Sequence, residues 1–389
     1  MQRFPKHAKK ILFIVGSSYS LLNAIHVARS ALCAGKEKHL VVFKRDEMMG
    51  RVANKLRVSG IFVSVSTFRY INNVGTAWKV LTFIFPSFFL KFKWLISEKS
   101  DVDLKNFDVV VTQSNFYASL FKLLNVNAIV IHLDEGLSSY TGKSNCVKRR
   151  SLLARFFSNV YSKNAFHFAF LYSKHVYVGP PVEITTIPKL TLVDLTIYKD
   201  FFDYVSPIIN PSRNVCYLSA PFWGERVMLV DKNQADGDFE SRCASVVETV
   251  ISEVGAKNII HRPHPIENEL DLQYAHGLYI DKGSNLWELY AGLELTDRHV
   301  IVSIFSTGAL TPWLLFNKQP VLVFLFKLIG PEFLGAEKVV NALKKQYAHP
   351  EKIHVPETIS ELKHVLSNCI PTSYNPEHVF SSASTPSGS

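Results

Sequence analysis

Short apolar runs of strand length alternate with segments of helical period along most of the chain. In the first half, the runs ILFIV (11–15), HLVVF (39–43), GIFVSV (60–65), DVVVT (108–112) and AIVIHL (128–133) read as strands, with helices filling the gaps. The segment 21–34 places Leu22, Ile25, Ala28, Arg29 and Leu32 near one stripe, which predicts a helix stopping at Gly35. Strand, helix and strand in this order make a first βαβ unit of a parallel sheet covered by helices.

The stretch 150–205 mixes helical and extended signals and runs into SPIINPSRNV, a Pro/Asn-rich segment of linker composition. After it the alternation resumes. Strands are expected at 214–220, 258–263, 277–281, 299–305 and 320–326, and helices at 239–255, at 284–293 and from about 308. The predicted fold class is therefore α/β, with two Rossmann-like domains facing across a cleft in the GT-B manner. The expected divisions are a domain over 1–205, a second over 206–375, and a Ser-rich disordered tail over 376–389.

Composition agrees with a folded chain: of 389 residues, 47% are hydrophobic and 20% charged, far from the mixture that stays disordered. The five cysteines form no CxxC pair and no regular spacing, so the expected compartment is reducing and the expected location cytoplasmic. The apolar run at 11–15 is a strand's length and is followed directly by the polar loop GSSYS, so a strand rather than a signal peptide is expected there. The formal charge of +10 admits an anionic substrate, an anionic membrane surface or nucleic acid, and with no recognisable nucleic-acid module the third is the weakest and no nucleic-acid partner is expected. Basic and aromatic residues mix most densely at 80–99 and 148–168. Pro86, Lys91 and Lys93 break the first of these below the ~20 apolar residues of a transmembrane helix.

Candidate chemistry gathers where predicted strands run out. IHLDEGLSSY (131–140) delivers Asp134, Glu135 and Gly136: alternating side chains let one carboxylate act as a base while the other anchors the turn, and the glycine admits a close approach. NIIHRPHPIE (258–267) ends in Arg262 and His264, with Pro263 and Pro265 fixing the backbone around an imidazole that titrates near neutrality. His261 lies deeper in that strand and reads as structural. VIVSIFSTGAL (300–310) brings Ser306 and Thr307 to the start of a helical run, where hydroxyls and free N–H groups suit an anion. Gly16 and Ser17, in the polar loop after the first strand, complete the candidate substrate-binding set. Taken singly, each motif is equally a capping turn; together, each follows an apolar strand, one in the first half and two in the second. No histidine, cysteine or carboxylate spacing suggests a metal site.

In this order, Asp134-Glu135-Gly136, His264-Pro265 and Ser306-Thr307 resemble the signatures of bacterial sialyltransferases of the lipooligosaccharide and capsular polysialyltransferase type. The 129 positions from Glu135 to His264 and the 42 from there to Ser306 are similar to the polysialyltransferase branch, and the resemblance covers roughly residues 11–326. It implies a GT-B fold and an inverting, metal-independent transfer of sialic acid from CMP-sialic acid to a hydroxyl of a surface glycan, with no cofactor. By the same resemblance, Glu135 would be the general base and His264 the proton donor to the departing CMP, while Ser306 and Thr307 would hold phosphate or sugar carboxylate. The His261-Arg262-Pro263-His264-Pro265 context departs from the pattern, which leaves another acidic sugar open as the donor, and it resembles CDP-glycerol glycerophosphotransferases, which carry a His-Gly pair where this chain has Asp134-Glu135-Gly136. A non-catalytic polysaccharide-binding subunit on the same shell is a third reading.

The expected partners are a nucleotide sugar, a glycan acceptor and anionic lipid on the inner leaflet of the inner membrane, touched peripherally through Lys91, Lys93, Arg149 and Arg150. Each basic residue at an anionic surface gains ~1 kcal/mol. The protein is expected to float with phosphatidylserine- or phosphatidylglycerol-containing vesicles at low salt and to be released by high salt. Failure to float at low salt would assign the aromatic residues of both segments to core packing.

Overall fold

The computed structural model describes residues 7–44, 47–69, 106–112, 128–133, 165–168, 195–205, 214–219, 239–263, 278–280, 286–330, 336–345 and 347–370. They form two parallel sheets. The first holds β1 (Lys10–Val15), β2 (Glu37–Lys44), β3 (Ser64–Arg69), β4 (Val109–Thr112), β5 (Ile129–Leu133) and β6 (Ala165–Phe168), in the order β3-β2-β1-β4-β5-β6. The second holds β7 (Val215–Leu218), β8 (Ile259–Arg262), β9 (Tyr279–Ile280), β10 (Val300–Ser303), β11 (Val321–Phe324) and β12 (Ile353–His354), in the order β12-β11-β10-β7-β8-β9. Counted from the first strand of each half, both sheets have the order 3-2-1-4-5-6 of a dinucleotide-fold sheet. Two such units in succession are the GT-B architecture.

The central strands form because their residues are apolar on both faces. Ile11, Leu12, Phe13 and Ile14 of β1 and Val300, Ile301 and Val302 of β10 are wholly buried. Helices α1 (Ser18–Arg29) and α2 (Glu47–Val58) cover the first sheet's core. In the second half lie α4 (Phe239–Val254), α5 (Trp287–Leu293), α6 (Thr311–Phe316), α7 (Phe326–Ile329), α8 (Ala336–Lys344) and α9 (Ile359–Cys369). Helix α3 (Thr196–Phe202) comes before the second sheet begins. Among the described residues, no helix is long and apolar enough to cross a membrane.

Several boundaries differ from the sequence reading. The third strand starts at Ser64 rather than 60, because Gly60 takes a left-handed φ of 72° and Phe62 turns inward to meet Phe13 edge-on at 5.6 Å. The first helix begins at Ser18 and ends at Arg29, where Ser30 becomes extended. A 3-10 turn (Ala31–Cys33) follows, and Gly35 with φ 68° ends that turn. Buried residues surround α1 on most sides rather than forming one stripe. The helix from about 308 is a 3-10 turn (Thr307–Leu310) leading into α6. β6, β12, α8 and α9 had no counterpart in the predicted elements.

The halves share apolar packing. Leu286 and Leu289 of the α5 segment and Leu315 of α6 belong to the buried cluster that includes Ile11, Leu22 and Val111 of the first sheet and Tyr198, Phe201 and Phe202 of α3. Tyr204 and Phe316 pack against this cluster and also against the second-sheet core. Leu289 is wholly buried there. Leu289→Ala is therefore expected to cost about 2–5 kcal/mol and to lower the denaturation midpoint of the first-half cluster. A urea titration followed by peptide-resolved hydrogen exchange over residues 10–29 checks it.

Candidate active site

In an open parallel sheet the ligand crevice lies outside the carboxyl ends of the strands, where the order reverses. That point falls between β1 and β4 in the first sheet and between β7 and β10 in the second. Gly16 and Ser17 follow β1 at the first reversal. Gly16 is buried and Ser17 is the N-cap of α1, its Oγ accepting from the Ser20 N–H at 3.2 Å while Ser20 Oγ accepts from the Ser17 N–H at 3.0 Å. This reciprocal capping box uses donors that would otherwise face the crevice. Asp134, Glu135 and Gly136 follow directly on Leu133, the last residue of β5, and lie outside the described residues.

At the second reversal, Ser219 follows β7 and its N–H donates to the Arg262 carbonyl at 3.2 Å, binding the ends of β7 and β8 together. Arg262 is the last residue of β8 and is partly buried. His264 and Pro265 come two and three residues later and lie outside the described residues. His261 is wholly buried within β8, its ring 5.2 Å from that of Tyr217, and burial lowers its pKa to about 4. A neutral packed imidazole fits the structural reading of that residue.

Ser303 ends β10 and is wholly buried. Ser306 caps the following turn, its Oγ accepting from the Gly308 N–H at 3.2 Å, and Thr307 opens the 3-10 helix. Gly308 is held between two neighbours: a Cβ there would lie 3.2 Å from Leu218 Cδ1 and 3.3 Å from Trp287 Nε1. Trp287 Nε1 donates to the Gly308 carbonyl at 2.8 Å, so the first residue of α5 is tied to the Ser306–Gly308 loop. The same short loop thus joins the ends of β7 and β10 to the start of α5.

This arrangement brings in a group that the motif reading missed. Glu288 stands in the first turn of α5, partly buried, and burial raises its carboxyl to about 7, opposed by a hydrogen bond to its own backbone and by the charge of Arg262. In sequence it is one acid in the first turn of a predicted helix, where acids are ordinary companions of the helix dipole. Only the sheet order, which sets α5 beside the end of β8, separates it from any other helix acid. Arg262 offers a planar cation to an anion, and Glu288 offers a carboxyl able to gain or lose a proton near neutral pH.

No protein-family model matches the chain, and no curated protein matches it. Among solved structures, it is similar to the glycotransferase of kitacinnamycin (9% identity, 95% of this chain and 92% of that one, TM-score 0.47). It is also similar to the UDP-N-acetylglucosamine 2-epimerase from Rickettsia bellii (14%, 93% and 97%, 0.45) and to Acinetobacter baumannii MurG (11%, 92% and 90%, 0.41). Likeness at this level carries no activity to this chain.

The raised carboxyl has a stability consequence with a definite sign. A folded pKa above the ordinary 4.5 means that the folded state holds the proton more tightly, so the contribution is fully present below 4.5 and lost as pH rises through about 7. Glu288→Gln removes the charge that is costly to bury. It is expected to be more stable than the parent at pH 8 by about 1–3 kcal/mol, with the difference shrinking as the pH falls from 7 toward 4.5. Urea denaturation across that range checks it; a variant less stable at pH 8 would show the carboxylate to be a net stabilising group.

Proposed function

We propose that the protein is an inverting glycosyltransferase that moves sialic acid from CMP-sialic acid to a hydroxyl of a bacterial surface glycan without a metal ion. One observation carries the reading. The three motifs of the sialyltransferase resemblance adjoin the carboxyl ends of β5, β8 and β10, in two sheets of dinucleotide-fold order, with β10 itself at the reversal of the second. Glu288 and Arg262 add an acceptor of hydroxyl hydrogens and an anion partner at the same end of the second sheet, which suits the sugar ring and phosphate of a nucleotide.

In the proposed reaction, Glu135 takes the proton of the acceptor hydroxyl as its oxygen attacks the anomeric carbon. The bond from that carbon to the CMP phosphate oxygen breaks, and His264 gives its proton to the departing phosphate. Ser306 and Thr307 steady that phosphate by hydrogen bonding, and Asp134 anchors the turn carrying the base. Inversion follows from attack opposite the leaving group, with base and acid supplied from different halves of the chain.

The test compares Glu135→Gln with His264→Asn in transfer and in donor hydrolysis, using CMP-, CDP- and UDP-activated donors with and without chelator. Glu135→Gln is expected to suppress transfer by roughly 10²–10⁴-fold while leaving donor affinity nearly unchanged. His264→Asn is expected to slow both transfer and hydrolysis, with partial rescue by a donor carrying a better leaving group. Full activity of Glu135→Gln with loss in Asp134→Asn would exchange the roles of the two acids. Turnover of a CDP-polyol alone would favour the glycerophosphotransferase reading, activity restored only by magnesium or manganese would remove the metal-free mechanism, and no turnover of any donor would leave a binding subunit.

A further inference from the structure

Helix α5 spans seven residues, about 10 Å at the usual rise, and each end is tied to a different part of the molecule. Its first residue, Trp287, is hydrogen-bonded to the loop after β10, and Glu288 beside it feels Arg262. Its other end presses on the segment that precedes the second sheet. Gly292 lies close against it: a Cβ would lie 2.7 Å from both Leu195 Cδ1 and Phe316 Cζ, so the backbone of α5 and these two side chains meet without space for a methyl group. Just beyond, Tyr204 Oη donates to Glu294 Oε1 at 3.2 Å.

Of the partners of that end, Leu195 and Tyr204 flank α3, which is fastened to the first half, whereas Phe316 ends α6. Asp203, with a left-handed φ of 50°, pairs with Lys55 and Arg51 of α2, and Tyr198 meets His26 Nδ1 of α1 at 3.1 Å. Burial and the Arg29 charge lower His26 to about 4, so its ring is neutral at physiological pH and shares one hydrogen bond with the tyrosine hydroxyl. Helix α3 is thus fastened to α1 and α2 by polar contacts, and it meets α5 through apolar contact and the Tyr204–Glu294 bond. On the second-sheet side, the Lys318 ammonium donates to the carbonyls of Ala291, Gly292 and Leu295 at 3.2, 2.7 and 2.5 Å, holding the last turn of α5. Leu289, Tyr290 and Ala291 are buried between these ends. A packed helix of two turns cannot slide without repacking its neighbours, so it transmits displacement as a rigid body.

We propose that α5 is a strut that sets the position of the Glu288 carboxyl from the position of α3, with Gly292 and the Tyr204–Glu294 hydrogen bond as its positioning elements. The proposal rests on the nucleotide-sugar reading for the ligand of Glu288, whereas the mechanical link itself does not. It identifies Gly292 and Tyr204 as positioning residues, since neither adjoins the strand ends where the ligand would bind.

The experiment uses the full chain and two readouts, peptide-resolved amide exchange and calorimetric titration with CMP. In Gly292→Ala, exchange is expected to speed up at 286–291 and 306–310, at the far end of α5, and CMP is expected to bind about tenfold more weakly. Leu195→Ala in the same chain, which reopens the linker side, is expected to recover at least half of both effects. Tyr204→Phe adds no volume and is expected to move both readouts in the same direction by two- to threefold, which keeps the test available if Gly292→Ala folds poorly. Exchange changes confined to 292–295 and 316 would overturn the strut, as would coupled exchange with unchanged CMP affinity. If the parent chain binds no cytidine nucleotide, the transferase reading fails on that arm, and the exchange arm still decides whether α5 transmits the displacement.

Discussion

A parallel sheet has no face that it can leave to water, because the helices that connect its strands cover both sides. Both sheets of this chain obey that constraint to the end of each central strand: β1, β4, β7 and β10 are buried throughout, apart from exposed Lys10 at the start of β1. Polar side chains with chemical work to do are thereby restricted to the residues just past the strands. Where the order of strands reverses, crossover helices depart in opposite directions and leave the carboxyl ends uncovered. Ser17, Ser219 and Ser306 follow strands at such ends, and Arg262 closes β8 beside the second of them. The candidate site is a product of sheet topology before it is a product of any particular motif.

The burial that frees the strand ends also sets their electrostatics. Burial moves both Glu288 of α5 and His261 of β8 toward their neutral forms, the acid upward and the imidazole downward. For His261, surrounded by core residues, neutrality makes it a packing group. For Glu288, with Arg262 opposing the shift, the result is a carboxyl balanced near neutral pH.

Ten strands were legible in sequence, though not their order in the sheets, because runs such as 11–15 and 299–305 are apolar on both faces and punctuated by glycine, proline or small polar residues. The β3 boundary was not, since Ile61 and Phe62 look like strand residues and only the left-handed backbone at Gly60 shows that they turn. The short pairs Tyr279–Ile280 and Ile353–His354 carry too little periodicity to locate a strand: the first was found from its apolar neighbours and the second was missed. At the site, hydroxyl and histidine motifs were visible because they break apolar runs. Glu288 was invisible because its environment comes from β8 and β10, far away in sequence. Its role depends on which strands are neighbours, which no local pattern encodes.

The mixed cluster of Tyr198, Phe201, Phe202, Leu286, Leu289 and Leu315 means that the two halves have no clean seam. A recombination that exchanged one half for that of a distant relative would cut through this cluster wherever the crossover fell. A junction before 195 would strip the first half of aromatic residues that cover α1; a junction after 205 would carry those aromatics away from the leucines that they pack on. Modular descent, in which one half is traded for another, is therefore open to this chain only with partners that preserve the same interlocking apolar surface.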